Sequence, residues 1–138
     1  MRIWCERICR WAVVGVFLWA AGAKSLDLAA FARTIGDFGL VWPGWAAPAA
    51  VAMLAAEFVA GGLLFCRRRA GYVLAAALLV AYTAVIAYGI AIGLDIECGC
   101  LGPADRWAAM SLQASLVRNL CLLVALAAAW FLRPPRRN

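Results

Sequence analysis

The sequence predicts an all-α fold: a bundle of four transmembrane helices with a short interfacial helix between spans 1 and 2. Three observations support this. The chain of 138 residues is 67% hydrophobic and 14% charged, whereas soluble domains are roughly 45–50% apolar and about 25% charged. Four apolar runs approach the length of about 20 residues that a helix needs to cross a bilayer. Arginines gather where these runs end, which is typical of membrane orientation rather than of nucleic-acid binding.

We expect one integral membrane domain over residues 1–138, with spans at about 8–26, 46–66, 70–94 and 112–132. The start of the first span has two interpretations. A basic segment, a short apolar run and the small residues Ala21-Gly22-Ala23 fit a cleaved signal peptide. The same run, extended into the amphipathic start, is long enough for a first transmembrane helix.

The remaining elements follow in order. Apolar residues recur at helical spacing between Leu28 and Phe38, which predicts a short helix lying in the membrane interface. The second span is interrupted only by Glu57 and is closed by three arginines, and the third is long enough to cross with some tilt. A polar connection at residues 95–111 leads to the fourth span.

The distribution of cations predicts the orientation. Nine of the thirteen lysines and arginines fall on one side of a four-span arrangement: Arg2, Arg7, Arg10, Arg67, Arg68, Arg69, Arg133, Arg136 and Arg137. The positive-inside rule makes that side cytoplasmic. We therefore expect a multi-pass protein of the bacterial inner membrane with both termini in the cytoplasm and the connection at residues 95–111 in the periplasm.

Cys98 and Cys100 in that connection are the candidate catalytic residues. A disulfide needs Cα atoms at roughly 4.4–6.8 Å, and Gly99 gives two residues this close in sequence the bend they require. Gly102 adds a second flexible position to the loop. Such a small ring is strained, and strained, exposed disulfides are the labile or catalytic ones.

Other interpretations of the thiol pair stay open. It is also compatible with a static loop staple, with unpaired thiols, or with a site for a soft ion such as Cu(I) or Hg(II). The chain has no histidine, so a metal carrier would lack further ligands. The neighbouring carboxylates Asp95 and Glu97 disfavour a thiolate by like-charge repulsion.

Glu57 is the second feature of interest, because a carboxylate in hydrocarbon must face the bundle and find a partner. Lys24 and Arg118, at the outer ends of two other helices, are the candidate partners, and Asn119 is a candidate for a further hydrogen bond. A registration salt bridge and a proton or quinone site both fit these residues. Cys121, about two turns into the fourth span, fits a small core residue better than a resolving thiol.

These residues resemble those of a known family. The resemblance is carried by residues 21–27 and Phe31, Glu57 with Gly61, residues 98–102, and Arg118-Asn119. Together they resemble the MauE branch of the MauE/DoxX family, redox-associated four-helix membrane proteins. In that family residues 24–27, including Asp27, belong to the first helix and its exit, which argues against signal cleavage.

The resemblance implies methylamine-utilisation-type systems, in which the protein works with a thioredoxin-like periplasmic partner that forms disulfides in a client enzyme. Related members resemble components of quinone-linked sulfur oxidation. We therefore expect a membrane thiol–disulfide redox protein using Cys98 and Cys100, with a bilayer quinone as electron acceptor near Lys24, Asp27, Glu57, Arg118 and Asn119. The alternatives are a soft-metal carrier, a non-catalytic assembly factor and a channel or small-solute carrier.

Overall fold

The computed structural model describes residues 1–94 and 112–132. This part of the chain forms five α-helices and a 3₁₀ turn at Pro43–Trp45, with no strand. The helices are α1 (Arg2–Leu26), α2 (Leu28–Asp37), α3 (Ala46–Phe65), α4 (Arg69–Ala91) and α5 (Leu112–Phe131). The predicted all-α class and the short helix between the first two spans are confirmed.

The four long helices have the composition of membrane spans. Their most apolar windows have a mean hydropathy between 1.2 and 2.2. Only 22% to 39% of each window is buried inside the bundle, and large side chains such as Trp19, Val124 and Phe131 are exposed. Helices that expose this much apolar surface while satisfying their own backbone hydrogen bonds are suited to a hydrocarbon solvent.

The long helices form a closed ring in which α1 and α4 each pack against both α3 and α5, while α2 packs mainly on α3. At one end of the bundle, Phe38, Ile86 and Leu112 pack together. The last turns of α4 and the first turn of α5 therefore meet here beside the end of α2. We call this the connection end, because the described chain stops there at Leu94 and resumes there at Leu112. The opposite end holds Met1, the α3–α4 turn and Leu132, and we call it the terminal end.

Asp27 separates α1 from α2. Its side chain accepts a hydrogen bond of 2.9 Å from the backbone N–H of Ala30, so it caps the N-terminus of α2 as aspartate commonly does. The chain thus changes direction without leaving the first donors of α2 unpaired.

The α3–α4 turn is tight. The N–H of Arg68 bonds to the carbonyl of Leu63 and that of Arg67 to the carbonyl of Leu64, which is the Schellman pattern of helix ends. Arg67 has a φ of 55°, a left-handed conformation more usual for glycine. A Cβ on Gly71 would lie 2.5 Å from the backbone nitrogen of Leu64, so the two helices meet here at backbone contact.

We predict that Gly71→Ala destabilises the bundle, because the neighbour that must move is backbone rather than a flexible side chain. Overpacking of this kind costs about 1–3 kcal/mol. Gly62→Ala is the matched control, since nothing lies within 4 Å of its added Cβ. The check is the midpoint of thermal unfolding in detergent, which should fall for Gly71→Ala alone; equal midpoints would contradict the packing at this turn.

Candidate functional site

A buried polar cluster joins three helices towards the connection end. Lys24 lies in the last turn of α1, Glu57 in α3 and Tyr82 in α4. The Lys24 ammonium forms an ion pair with Glu57 Oε1, and the Tyr82 hydroxyl donates a hydrogen bond to the same oxygen. Lys24 Nζ also lies 3.5 Å from the Tyr82 hydroxyl oxygen, which accepts from it. We call these three residues the Lys24 cluster.

The Lys24 cluster is buried inside the bundle, away from bulk solvent. Lys24 is 1% exposed and Glu57 is 2% exposed. The Lys24 ammonium also lies 4.9 Å from the ring centroids of both Phe31 and Tyr82, within the range of a cation–π interaction. A lysine and a glutamate this deep are stable only as a pair, since removing two ions from water costs several kcal/mol each.

Residues of α5 complete the site. Arg118 and Asn119 line a small cavity of about 30 Å³ together with the Lys24 cluster. Two buried polar atoms on this site, Glu57 Oε2 and Asn119 Nδ2, have no hydrogen-bond partner among residues 1–94 and 112–132. The volume suits one water, which would accept from Asn119 and donate to Glu57. It is much smaller than the cavity of about 150 Å³ in which a benzene ring is known to bind.

A second cavity of about 110 Å³ lies between α2, α3 and α4. Tyr82 lines both this cavity and the small one, so the two spaces share a wall. The second cavity is otherwise apolar apart from Thr34. Its lining residues are Phe31, Thr34, Ile35, Phe38, Leu40, Val41, Met53, Tyr82, Val85 and Ile86. We call it the α2 cavity.

The structure brings together most of the polar residues singled out in the sequence. Lys24 is the cation that pairs with Glu57, and Arg118 and Asn119 border the same cavity. Asp27 is not among the residues lining that cavity and caps α2 instead. The predicted quinone site on these five residues stays a prediction.

The structure describes Cys121 but neither Cys98 nor Cys100. Cys98, Gly99, Cys100 and Gly102 lie outside the described residues. Cys121 is exposed, so the expectation of a core residue is wrong. The buried side of α5 carries Asn119, and a residue two positions further lies about 200° around a helix of 3.6 residues per turn. Cys121 therefore faces away from the bundle, and its role as a resolving thiol stays a prediction.

A second buried charged cluster, which the sequence analysis missed, lies at the terminal end. Arg10 Nε lies 3.1 Å from Glu6 Oε1, to which the Tyr72 hydroxyl donates at 3.2 Å. Arg67 Nη2 lies 3.9 Å from Glu6 Oε2. Glu6 is fully buried and Arg10 is 5% exposed. We call these four residues the Glu6 cluster. The i, i+4 spacing of Glu6 and Arg10 was the signal in the sequence.

The part of the chain that the structure describes has no cluster of side chains that could bind a metal ion with three or more ligands. There, no three histidine, cysteine, aspartate or glutamate side chains group in a way that suits a metal ion. Cys98 and Cys100 lie outside that part.

Comparison with known proteins gives one match. The family model described as "Methylamine utilisation protein MauE" matches residues 2–132, nearly the whole chain. No curated protein and no solved structure matches. The matched range includes both buried clusters and the connection with Cys98 and Cys100.

We predict that Glu57→Gln strongly destabilises the protein, because it leaves the Lys24 ammonium buried without its counter-ion. Breaking a buried pair from one side costs about 3–5 kcal/mol. The double variant Lys24→Met/Glu57→Gln, which has no buried charge at this position, should recover most of the loss. Thermal unfolding of the purified variants in detergent checks this; a single variant as stable as the wild type would show that the pair is not maintained.

We also predict that Tyr72→Phe destabilises the terminal end by about 1–3 kcal/mol, because Glu6 Oε1 loses a buried donor. The ring and its contact with Trp130 are retained. Tyr88→Phe is the matched control on the same helix, since Tyr88 is 44% exposed. The measurement is again the unfolding midpoint, and an equal effect of both substitutions would contradict the assigned hydrogen bond.

Proposed function

The chain belongs to the MauE family and is a multi-pass membrane protein of methylamine utilisation, and from this premise we propose that it is a membrane thiol–disulfide redox protein. Cys98 and Cys100 would exchange disulfides with a thioredoxin-like periplasmic partner, which in turn forms disulfides in a client enzyme. We further propose an inner-membrane location with both termini in the cytoplasm. We also propose that the chain is related to DoxX proteins.

One observation carries the proposal. The connection that contains Cys98 and Cys100 attaches to the bundle between Leu94 and Leu112, and Leu112 packs on Ile86 and Phe38 at the connection end. Lys24, at the end of α1, lies towards this end too. The segment that contains the two thiols therefore leaves and rejoins the described helices at the end that carries the Lys24 cluster, opposite the end that carries the Glu6 cluster.

The exchange step requires two thiols from the partner. A thiolate of the partner attacks one sulfur of the Cys98–Cys100 disulfide, and a mixed disulfide forms as the other sulfur leaves as a thiolate. The partner's second thiolate then attacks the mixed disulfide and releases the other cysteine. The partner ends with a disulfide, and Cys98 and Cys100 end reduced, so two electrons and two protons have moved to this chain.

The reduced pair needs an acceptor to return to the disulfide. A quinone dissolved in the bilayer would supply that chemistry, taking up two electrons and two protons as it becomes a quinol. Near such an acceptor the Glu57 carboxylate would hold or move a proton, while Lys24, Arg118 and Asn119 supply hydrogen-bond donors around a cavity with room for a water. These residues would therefore act beside the acceptor rather than enclose its ring.

The alternatives make different demands on the molecule. A soft-metal carrier would bind Cu(I) or Hg(II) stoichiometrically at Cys98 and Cys100 without disulfide turnover. A non-catalytic assembly factor would keep its activity without the two thiols. A channel or small-solute carrier would depend on Glu57, yet an apolar layer that includes Val13, Phe17 and Leu79 lies between the Lys24 cluster and the Glu6 cluster.

We predict that Cys98 and Cys100 react with a membrane-impermeant thiol reagent in intact spheroplasts only after reduction. Labelling without reduction would favour free thiols or a metal site, and no labelling under either condition would contradict the periplasmic placement.

We predict that Cys100→Ser traps a mixed disulfide through Cys98, whose partner is identified by mass. Cys66→Ser is the control variant and should leave trapping unchanged, because Cys66 ends α3 at the terminal end. A Cys98→Ser/Cys100→Ser variant with full activity would overturn the redox function.

A further inference from the structure

The α2 cavity takes no part in thiol exchange, yet its walls are well defined. Phe31 is 6% exposed and Phe38 is 7% exposed. Phe38 rests on Gly89, where an added Cβ would lie 2.8 Å from its ring. Phe31 has the Lys24 ammonium 4.9 Å from its ring centroid. Contacts with the rest of the bundle therefore hold two aromatic rings on the α2 side of the cavity.

The size and polarity of the α2 cavity restrict its ligand. Its volume of about 110 Å³ is below that of a cavity of about 150 Å³ that takes up benzene, so it excludes two fused rings and would enclose a single six-membered ring closely. Its lining is apolar apart from Thr34 and Tyr82. A flat, uncharged ring that is soluble in hydrocarbon matches this lining.

Two lining residues, Thr34 and Tyr82, carry hydroxyl groups, and these restrict the chemistry of the ligand further. The Tyr82 hydroxyl uses its hydrogen on Glu57 and accepts from Lys24, and a hydroxyl oxygen has two lone pairs. The Thr34 hydroxyl donates to the carbonyl of Ala30 at 3.2 Å. The two hydroxyl-bearing residues that line the cavity can therefore accept a further hydrogen bond but cannot donate one.

We propose that the α2 cavity binds the ring of a single-ring quinone of the bilayer and binds its reduced form, the quinol, more tightly than the quinone. The two hydroxyl groups of a quinol are donors, whereas the two carbonyl oxygens of a quinone only accept. The inference rests on the proposed function, because it names the class of acceptor that the reduced thiol pair needs and the place where that acceptor binds.

Preference for the quinol has a consequence for the direction of electron flow. In the overall step, the Cys98 and Cys100 thiols form a disulfide while quinone gains two electrons and two protons to become quinol. For quinone and quinol bound in the cavity, tighter binding of the quinol shifts the equilibrium towards thiol oxidation by the ratio of the two affinities. The cavity thus favours transfer of electrons from the thiols to the bound quinone, while the equilibrium between the free species is set by their reduction potentials.

The experiment measures binding of a short-chain benzoquinone and of its quinol, kept reduced anaerobically, to the full chain in nanodiscs of quinone-free lipid. Empty nanodiscs correct for partition into lipid. Val85→Phe fills the cavity and should weaken binding of both forms more than tenfold, because overfilled cavities must distort to admit a ligand. Val80→Phe is the matched control on α4, since Val80 is 57% exposed and does not line the cavity.

Thr34→Val keeps the shape and removes an acceptor, so it should weaken quinol binding about twofold to tenfold, as one hydrogen bond is worth roughly 0.5–1.5 kcal/mol. Quinone binding should stay unchanged. If circular dichroism shows that Val85→Phe does not fold like the wild type, the result for Thr34→Val decides the outcome. Binding no greater than in empty nanodiscs, equal effects of Val85→Phe and Val80→Phe, or tighter binding of the quinone would overturn the inference.

The binding assay does not use the thiols, which separates the two proposals. The Cys98→Ser/Cys100→Ser variant should bind the quinol as the wild type does. If Cys100→Ser traps a mixed disulfide but the wild-type protein binds no quinol, the cavity proposal alone is overturned. Quinol binding with no trapped partner would overturn the thiol exchange alone and leave the α2 cavity as a quinol site of other purpose.

Discussion

The buried ion pair between Lys24 and Glu57 is the interaction on which the arrangement of the bundle depends. Its two ions come from α1 and α3, and Tyr82 of α4 adds a hydrogen bond to the same carboxylate oxygen. An ion left alone at this depth would be costly, whereas the pair satisfies most of its bonding capacity. A helix that shifted by one turn along its axis, about 5.4 Å, would separate the partners. The pair therefore fixes the relative height of three helices, which apolar contacts in lipid specify poorly.

The Glu6 cluster repeats the same chemistry at the other end: a glutamate, two arginines and a tyrosine of α4. Along α1 and α4 the two clusters follow in the same order, with apolar residues such as Val13 and Leu79 between them. Two fixed points at opposite ends constrain tilt as well as height. The apolar layer also separates the clusters, which counts against a continuous polar path through the described part of the bundle and hence against the channel alternative.

The sequence was informative wherever the energy of hydrocarbon decides the outcome. The four spans follow from length and apolarity, and the inward orientation of Glu57 follows from the cost of leaving a carboxylate in lipid. Lys24 was identified as a candidate because it lies at the end of a span at a suitable height. The exposed position of Cys121 was not predictable in this way, because a helix surrounded by lipid is apolar on both faces and shows little periodicity. The Glu6 cluster was not predicted, because an expected start of the first span near residue 8 leaves Glu6 outside it, and Arg10 and Arg67 both fit flanking cations. No pattern in the sequence encodes the α2 cavity, because its volume depends on how Phe31, Phe38 and Met53 pack.

The two cavities separate the buried charges of the Lys24 cluster from the proposed ring site. Residues that must hold an ion pair at a fixed height cannot also open to admit a ring, and the cavity beside Arg118 and Asn119 is correspondingly small. Tyr82 resolves this conflict because it belongs to both spaces. Its hydroxyl is bound to Glu57 on one side, while the residue borders the α2 cavity on the other. In the proposed quinol site, the ligand would therefore meet a neutral side chain rather than a buried ion. The Lys24 cluster can thus stabilise the bundle without opening, because the space large enough for a ring lies on the other side of Tyr82.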